Sequence, residues 1–198
     1  NYQQNGTSAI WPAPLGAHNW QPMSFSPKTG LMYIPAQNAP GIYSAVDKVT
    51  YQVGRWNTGT VLAESRDSDN WIRAKATKDA LIYSELVAWD PVKKKRVWQV
   101  RNKYQGNGGV LSTAGDLVFQ GSNGGNFVAY NAEDGTPLWE YQSGNTIVAG
   151  PISYELDGEQ YIAVTQGGGG ALMLIVGDDI QYNKENENKL LVFKLGES

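Results

Sequence analysis

"LVAWDPVKKKRVWQV" at residues 86–100 and "FVAYNAEDGTPLWEYQS" at residues 127–143 are two copies of one pattern. Val87-Ala88-Trp89-Asp90 answers Val128-Ala129-Tyr130-Asn131, and Trp98 answers Trp139, each matched pair 41 residues apart. Each copy reads as an alternating strand, a polar turn and a second strand that carries the tryptophan. Between the copies lies "AGDLVFQGSNGGN" (114–126), a strand bounded by glycine turns. Looser relatives are "TGLMYIPAQN" (29–38) and "DGEQYIAVTQGG" (157–168).

A four-strand unit recurring every ~40–50 residues is the signature of a β-propeller blade. Asp157-Gly158, set between alternating strands, predicts a two-residue hairpin turn of type I′. No stretch has helical periodicity. Residues 60–80 come nearest, and Asp67-Ser68-Asp69-Asn70 breaks the pattern there. Residues 37–85 read as a long excursion between strands. At roughly 41 residues per blade the chain holds about four blades. An open ring exposes unpaired strand edges, so the chain is expected to be part of a larger propeller.

Composition narrows the function classes. The chain carries 16 basic and 19 acidic residues, a net charge of −3, which is no footprint for nucleic acid. The run Lys93–Arg96 sits between two apolar segments and reads as a solvated turn. With no cysteine, the chain itself offers no disulfide, thiolate zinc site, iron–sulfur cluster or CxxCH haem attachment. No apolar run approaches the ~20 residues of a membrane span. Phosphate-loop, nucleophile-elbow and zinc-protease motifs do not occur.

Several motifs, in order, resemble the pyrroloquinoline-quinone (PQQ) dependent alcohol dehydrogenases. They are "HNWQPMSFSPKTGLMYIPAQN" (18–38), "LVAWDP" (86–91), "NGGVLSTAGDLVFQGSNGGNFVAYNAEDGTPLWEYQSG" (107–144) and "IVAGPISYELDGEQYIAVTQGGGG" (147–170). The likeness runs from about Trp11 to about Leu195 and is weak over 39–80. It implies an all-β fold, a partial propeller, with residues 1–198 the C-terminal part of one eight-bladed catalytic domain. The Ala129–Trp139 stretch is similar to the family's tryptophan-docking motif, which locks neighbouring blades together. The resemblance further implies a periplasmic enzyme that oxidises an alcohol to an aldehyde and passes electrons to a cytochrome. PQQ and Ca²⁺ are the implied cofactors. The remaining blades, in an upstream or second polypeptide, are the implied partner.

The chain's only histidine begins the triplet His18-Asn19-Trp20. Two readings stand. In one, Asn19 and Trp20 cap a strand and the indole packs between blades. In the other, supported by the resemblance, both reach the quinone. A planar ortho-quinone with three carboxylates wants uncharged amide and N–H donors on rigid strands, where they also stabilise charge developing on its carbonyls. His18 reads as a neighbour, because a base needs an orienting partner and none is indicated. The family's catalytic aspartate, basic residue and calcium ligands fall upstream of this triplet, so no catalytic or metal residue is assigned here.

Two departures stand inside the matched region. Relatives often carry tryptophan before "NGG", where this chain has Gly106 before Asn107-Gly108-Gly109. Many also carry an aromatic in the late glycine run, here Gly167–Gly170. Losing two aromatics removes ~150–250 Å² of wall apiece. Gly106 and Asn107 then border a wider substrate pocket, or neighbouring side chains fill the space. The rival readings of the whole are a non-enzymatic propeller scaffold and a quinoprotein relative that has lost its cofactor.

Overall fold

Period-two burial governs the longest strands. In 31–38, Leu31, Tyr33, Pro35 and Gln37 are buried and their neighbours are half-buried; in 83–90 the buried set is Ser84, Leu86, Ala88 and Asp90. Such alternation places one face of a pleated strand against a core. The computed structural model describes residues 8–12, 16–38, 41–43, 45–51, 53, 57, 59, 83–102, 106–168 and 188–194.

Among the described residues there are thirteen strands and no helix: β1 (Ser8–Ile10), β2 (Ser24–Ser26), β3 (Leu31–Asn38), β4 (Gly41–Tyr43), β5 (Tyr83–Asp90), β6 (Lys95–Asn102), β7 (Asn107–Ser112), β8 (Leu117–Ser122), β9 (Asn126–Asn131), β10 (Pro137–Gln142), β11 (Ile152–Leu156), β12 (Glu159–Gln166) and β13 (Lys189–Lys194). They form sheets in the orders β2-β3-β5-β6, β7-β8-β9-β10 and β11-β12-β13. The pairings with defined register are antiparallel. These are successive blades of a partial β-propeller, three of the roughly four that the length allows. A separate compact unit, residues 1–17 and 38–82, contains β1 paired with β4. No described helix is long and apolar enough to cross a membrane.

The sequence repeat is a repeat of register. Ala88 pairs with Trp98 across β5–β6, and Ala129 pairs with Trp139 across β9–β10. Both hairpins carry an irregularity beside that pair, between Ala88 and Trp89 in one and between Pro137 and Trp139 in the other. The β11–β12 turn has positive φ at both Asp157 (55°) and Gly158 (78°), as a type I′ turn requires.

Two apolar cores lie between the blades. One joins Leu31, Tyr33, Leu86, Trp98 and Val110 to Val118, Val128 and Tyr130. The other joins Phe119, Phe127 and Ile147 to Ile162, Val164, Leu191 and Phe193. Each tryptophan reaches from the last strand of its own sheet toward the next. Trp98 Nε1 donates to the Ala132 carbonyl at 3.1 Å, and the Tyr33 hydroxyl donates to the same oxygen at 2.9 Å. The indole lies on Gly135 so closely that a Cβ there would stand 2.7 Å from Cε3, and Gly135 has φ +77°. Only glycine meets both conditions without strain. Trp139 packs edge-on against Phe193 of β13, with ring centroids 5.0 Å apart.

Candidate cofactor site

The innermost segments of the three blades converge. The Val110 N–H at the start of the second blade donates to the Pro22 carbonyl at 2.8 Å. Ser112 N–H donates to Ser24 Oγ at 2.9 Å, and the two serine hydroxyls meet at 2.6 Å. A Cβ on Gly109 would lie 2.4 Å from Pro22 Cγ and 2.8 Å from the Gly150 Cα. Glycine at 109 is therefore the condition for the first, second and third blades to meet at Pro22.

His18-Asn19-Trp20 leads into this junction. His18 Nδ1 lies 2.8 Å from the Pro35 carbonyl, an oxygen that accepts only, so Nδ1 carries the proton of that hydrogen bond. The bond ties the triplet to β3. Asn19 is exposed, and Trp20 is 57% exposed although Gln21, the next residue, is buried. A large exposed indole offers a flat apolar face for a ligand or a further blade to cover. That face, with an indole N–H and a neighbouring amide, suits a planar ring bearing acceptor oxygens. The donor set fits a quinone. Among the described residues, no cluster of three or more His, Asp or Glu side chains could hold a metal ion.

Gly106 and Asn107 lie on the seam between the first and second blades. The Asn107 amide donates to the Glu85 carbonyl at 3.0 Å and to the Ala36 carbonyl at 3.3 Å, with 1% of the residue exposed. Both amide hydrogens are thus committed to main chain of the neighbouring sheet. The Gly106 carbonyl accepts from Ser84 Oγ at 3.3 Å. The inter-blade tie by Asn107 was not readable from "NGG", which signals a turn. Nor was Thr146: its hydroxyl donates to the Gly167 carbonyl at 2.8 Å, and its own carbonyl accepts from Gly167 N–H at 2.8 Å. That pair holds the start of the glycine run; Gly169 and Gly170 lie outside the described residues.

Tyr130, Asp90 and Asp134, whose titrations are displaced, lie away from this junction. Burial, with a smaller contribution from Glu140, pushes the Tyr130 phenol up to about 12. Asp90 is held below the usual carboxylate range, chiefly by the Lys93 N–H, and Asp134 chiefly by the Thr136 N–H.

The pattern of the PQQ glucose/ethanol/alcohol dehydrogenase β-propeller domain matches residues 2–162. Quinohemoprotein alcohol dehydrogenase ADH IIB of Pseudomonas putida is 42% identical over 187 residues, covering 94% of this chain and 26% of the relative. The 1-butanol dehydrogenase (cytochrome c) of Thauera butanivorans is 38% identical over 172 residues, covering 82% of this chain and 23% of the relative. The crystal structure of quinohemoprotein alcohol dehydrogenase from Comamonas testosteroni superposes with a TM-score of 0.77 at 36% identity, over 95% of this chain and 27% of that one. The chain spans about a quarter of the length of these proteins. Blades in this register, docked by tryptophan and matched over this extent, make the chain a member of the PQQ-dependent alcohol dehydrogenase β-propeller family.

Proposed function

We propose that the chain forms the C-terminal part of a periplasmic PQQ-dependent dehydrogenase that oxidises an alcohol to an aldehyde and passes the electrons to a cytochrome. The observation that carries this is Trp20, more than half exposed, beside an exposed amide and two residues before the Pro22 at which three blades meet. The names of the relatives support the reaction class and, in the case of the 1-butanol enzyme, a cytochrome c acceptor.

When bound, the quinone supplies the two-electron acceptor, and R–CH₂OH becomes R–CHO with release of two protons and two electrons. The residues of this chain bind and orient. The Asn19 amide would hold the quinone by donating to one of its acceptor oxygens, a bond that would count for more when the cofactor carries negative charge. Trp20 would pack its indole against the quinone and so help to exclude water. Asn107 and the Pro22–Gly109 contact keep the supporting strands fixed, which is the condition for donors to act without reorganising. The proton acceptor and the Ca²⁺ ligands are assigned to upstream blades, which also cover the apolar face of β11–β13 (Ile152 and Leu190 are 59% and 65% exposed).

The test is reconstitution of the full-length apoenzyme with PQQ and Ca²⁺, followed by dye-linked alcohol oxidation. Asn19→Ala loses ~1–3 kcal/mol, about five- to 150-fold, in turnover more than in PQQ affinity. Trp20→Ala weakens retention of PQQ instead. Wild-type binding and turnover in both variants would make the triplet a strand cap. A wild-type protein that holds no PQQ would be a relative that has lost its cofactor.

A further inference from the structure

A cleft of about 730 Å³ opens between β6 of the first blade and the β9–β10 hairpin of the second. It lies where the inter-blade core reaches solvent, so its floor is apolar: Val100, Val128 and Pro137. Cross-strand register sets its polar wall. Glu140 pairs with Val128 and Gln142 with Asn126, which puts these side chains on one face of the hairpin. Asn102 lines the cleft from β6 and Tyr130 from β9.

The wall is held in place from within. Asn126 Nδ2 donates to Glu140 Oε1, and Gln142 Nε2 donates to the Gly124 carbonyl at 3.0 Å. Tyr130 is 95% buried as a residue, but its hydroxyl is not among the buried polar atoms that lack a partner, and the side chain lines the cleft. A phenol O–H at the wall of a cleft can donate to, and accept from, a ligand hydroxyl. The Arg101 guanidinium is engaged with Tyr83, stacking 4.0 Å from the ring centroid and donating to the hydroxyl at 3.2 Å.

We propose that this cleft binds a neutral polyhydroxylated molecule of monosaccharide size. Its volume lies within the ~300–1,000 Å³ range of small-molecule sites. Hydroxyl groups donate and accept together, which matches neighbouring amides, a phenol and a carboxylate. The C–H face of such a ligand packs on the valine and proline floor. One carboxylate among several neutral groups gives too little charge for a cation to be the main occupant. The site lies apart from His18–Trp20 and does not depend on the reading of that triplet.

Isothermal titration of the full-length holoenzyme with D-glucose, sorbitol and choline chloride tests it. Glucose and sorbitol are expected to bind saturably and choline weakly. Tyr130→Phe should weaken sugar binding about fivefold, the loss of one hydrogen bond, and leave alcohol oxidation unchanged. Glu140→Gln, which can still accept a hydrogen bond, should change it by less than about twofold. Choline binding lost in Glu140→Gln would overturn the proposal in favour of a cation. So would sugar binding untouched by Tyr130→Phe, which places the ligand elsewhere, or no saturable binding of either sugar.

Discussion

Replacing Gly135 with alanine sets the docking of Trp98 against the backbone that seats it. The new Cβ falls 2.7 Å from Trp98 Cε3 and 3.0 Å from Cδ2, whereas carbon atoms pack best at roughly 3.5–4.0 Å. The ring must shift, and overpacking of this kind costs ~1–3 kcal/mol. The left-handed backbone at φ +77° adds ~1–2 kcal/mol for any L-residue. Gly135→Ala is therefore expected to destabilise by about 2–5 kcal/mol. Trp98→Ala alone should cost ~3–5 kcal/mol, as lost packing, since the Ala132 carbonyl keeps its bond from Tyr33. With the indole gone, Gly135→Ala should cost only the backbone part. The double-mutant cycle then reports a coupling of about 1–3 kcal/mol. Urea denaturation of the full-length protein, followed by far-ultraviolet circular dichroism, measures it. Equal costs for Gly135→Ala with and without Trp98 would refute the claim that glycine is there to seat the ring.

Two further outcomes follow from the titrating groups. Tyr130 is kept neutral by burial first and Glu140 second, so stability from its neutral form is full below 10 and lost as pH rises through about 12. Glu140→Gln should lower the Tyr130 titration seen by ultraviolet difference against Tyr130→Phe, yet leave it above the ordinary value; an unmoved titration would remove Glu140 as a cause. Asp90 and Asp134 are depressed by backbone N–H groups, so their contribution is present above 3.8 and lost as pH falls through the lowered values. The urea-midpoint difference between wild type and the Asp90→Ala, Asp134→Ala double variant should be constant above about pH 5 and shrink in stronger acid; growth of the difference in acid would contradict the sign.

The blades were legible because the information is local and repeated. Val-Ala-aromatic-Asx followed by tryptophan recurs with constant spacing, and constant spacing in paired strands becomes constant register. Asp157-Gly158 carried its turn type in two letters. The ties that hold the inner strands were hidden for the opposite reason. Asn107 bonds residues 22 and 71 positions away, and Pro22 meets Gly109 and Gly150, contacts that no local pattern encodes. Gly135 was readable as a turn residue but not as a seat for Trp98, because that role depends on a ring from another hairpin. At Asn19 and Trp20 the sequence left two readings open, and an indole that is 57% exposed in a chain spanning about a quarter of its relatives fits both, so the reconstitution with PQQ decides between them.

The 44 residues between the end of β3 at Asn38 and the start of β5 at Tyr83 separate two neighbours in one sheet. Closing that interval costs about 2 kcal/mol more chain entropy than closing a three-residue turn such as 123–125. The second blade needs only short closures, β7 to β8 to β9 to β10. It should therefore form early, with a finished surface of Val118, Val128, Tyr130 and Gly135. The first blade then assembles on it, as Tyr33 and Trp98 find the Ala132 carbonyl from opposite sides of the long interval. In kinetic terms the second blade is a template, and the slow step of the pair is the search by β5 for β3.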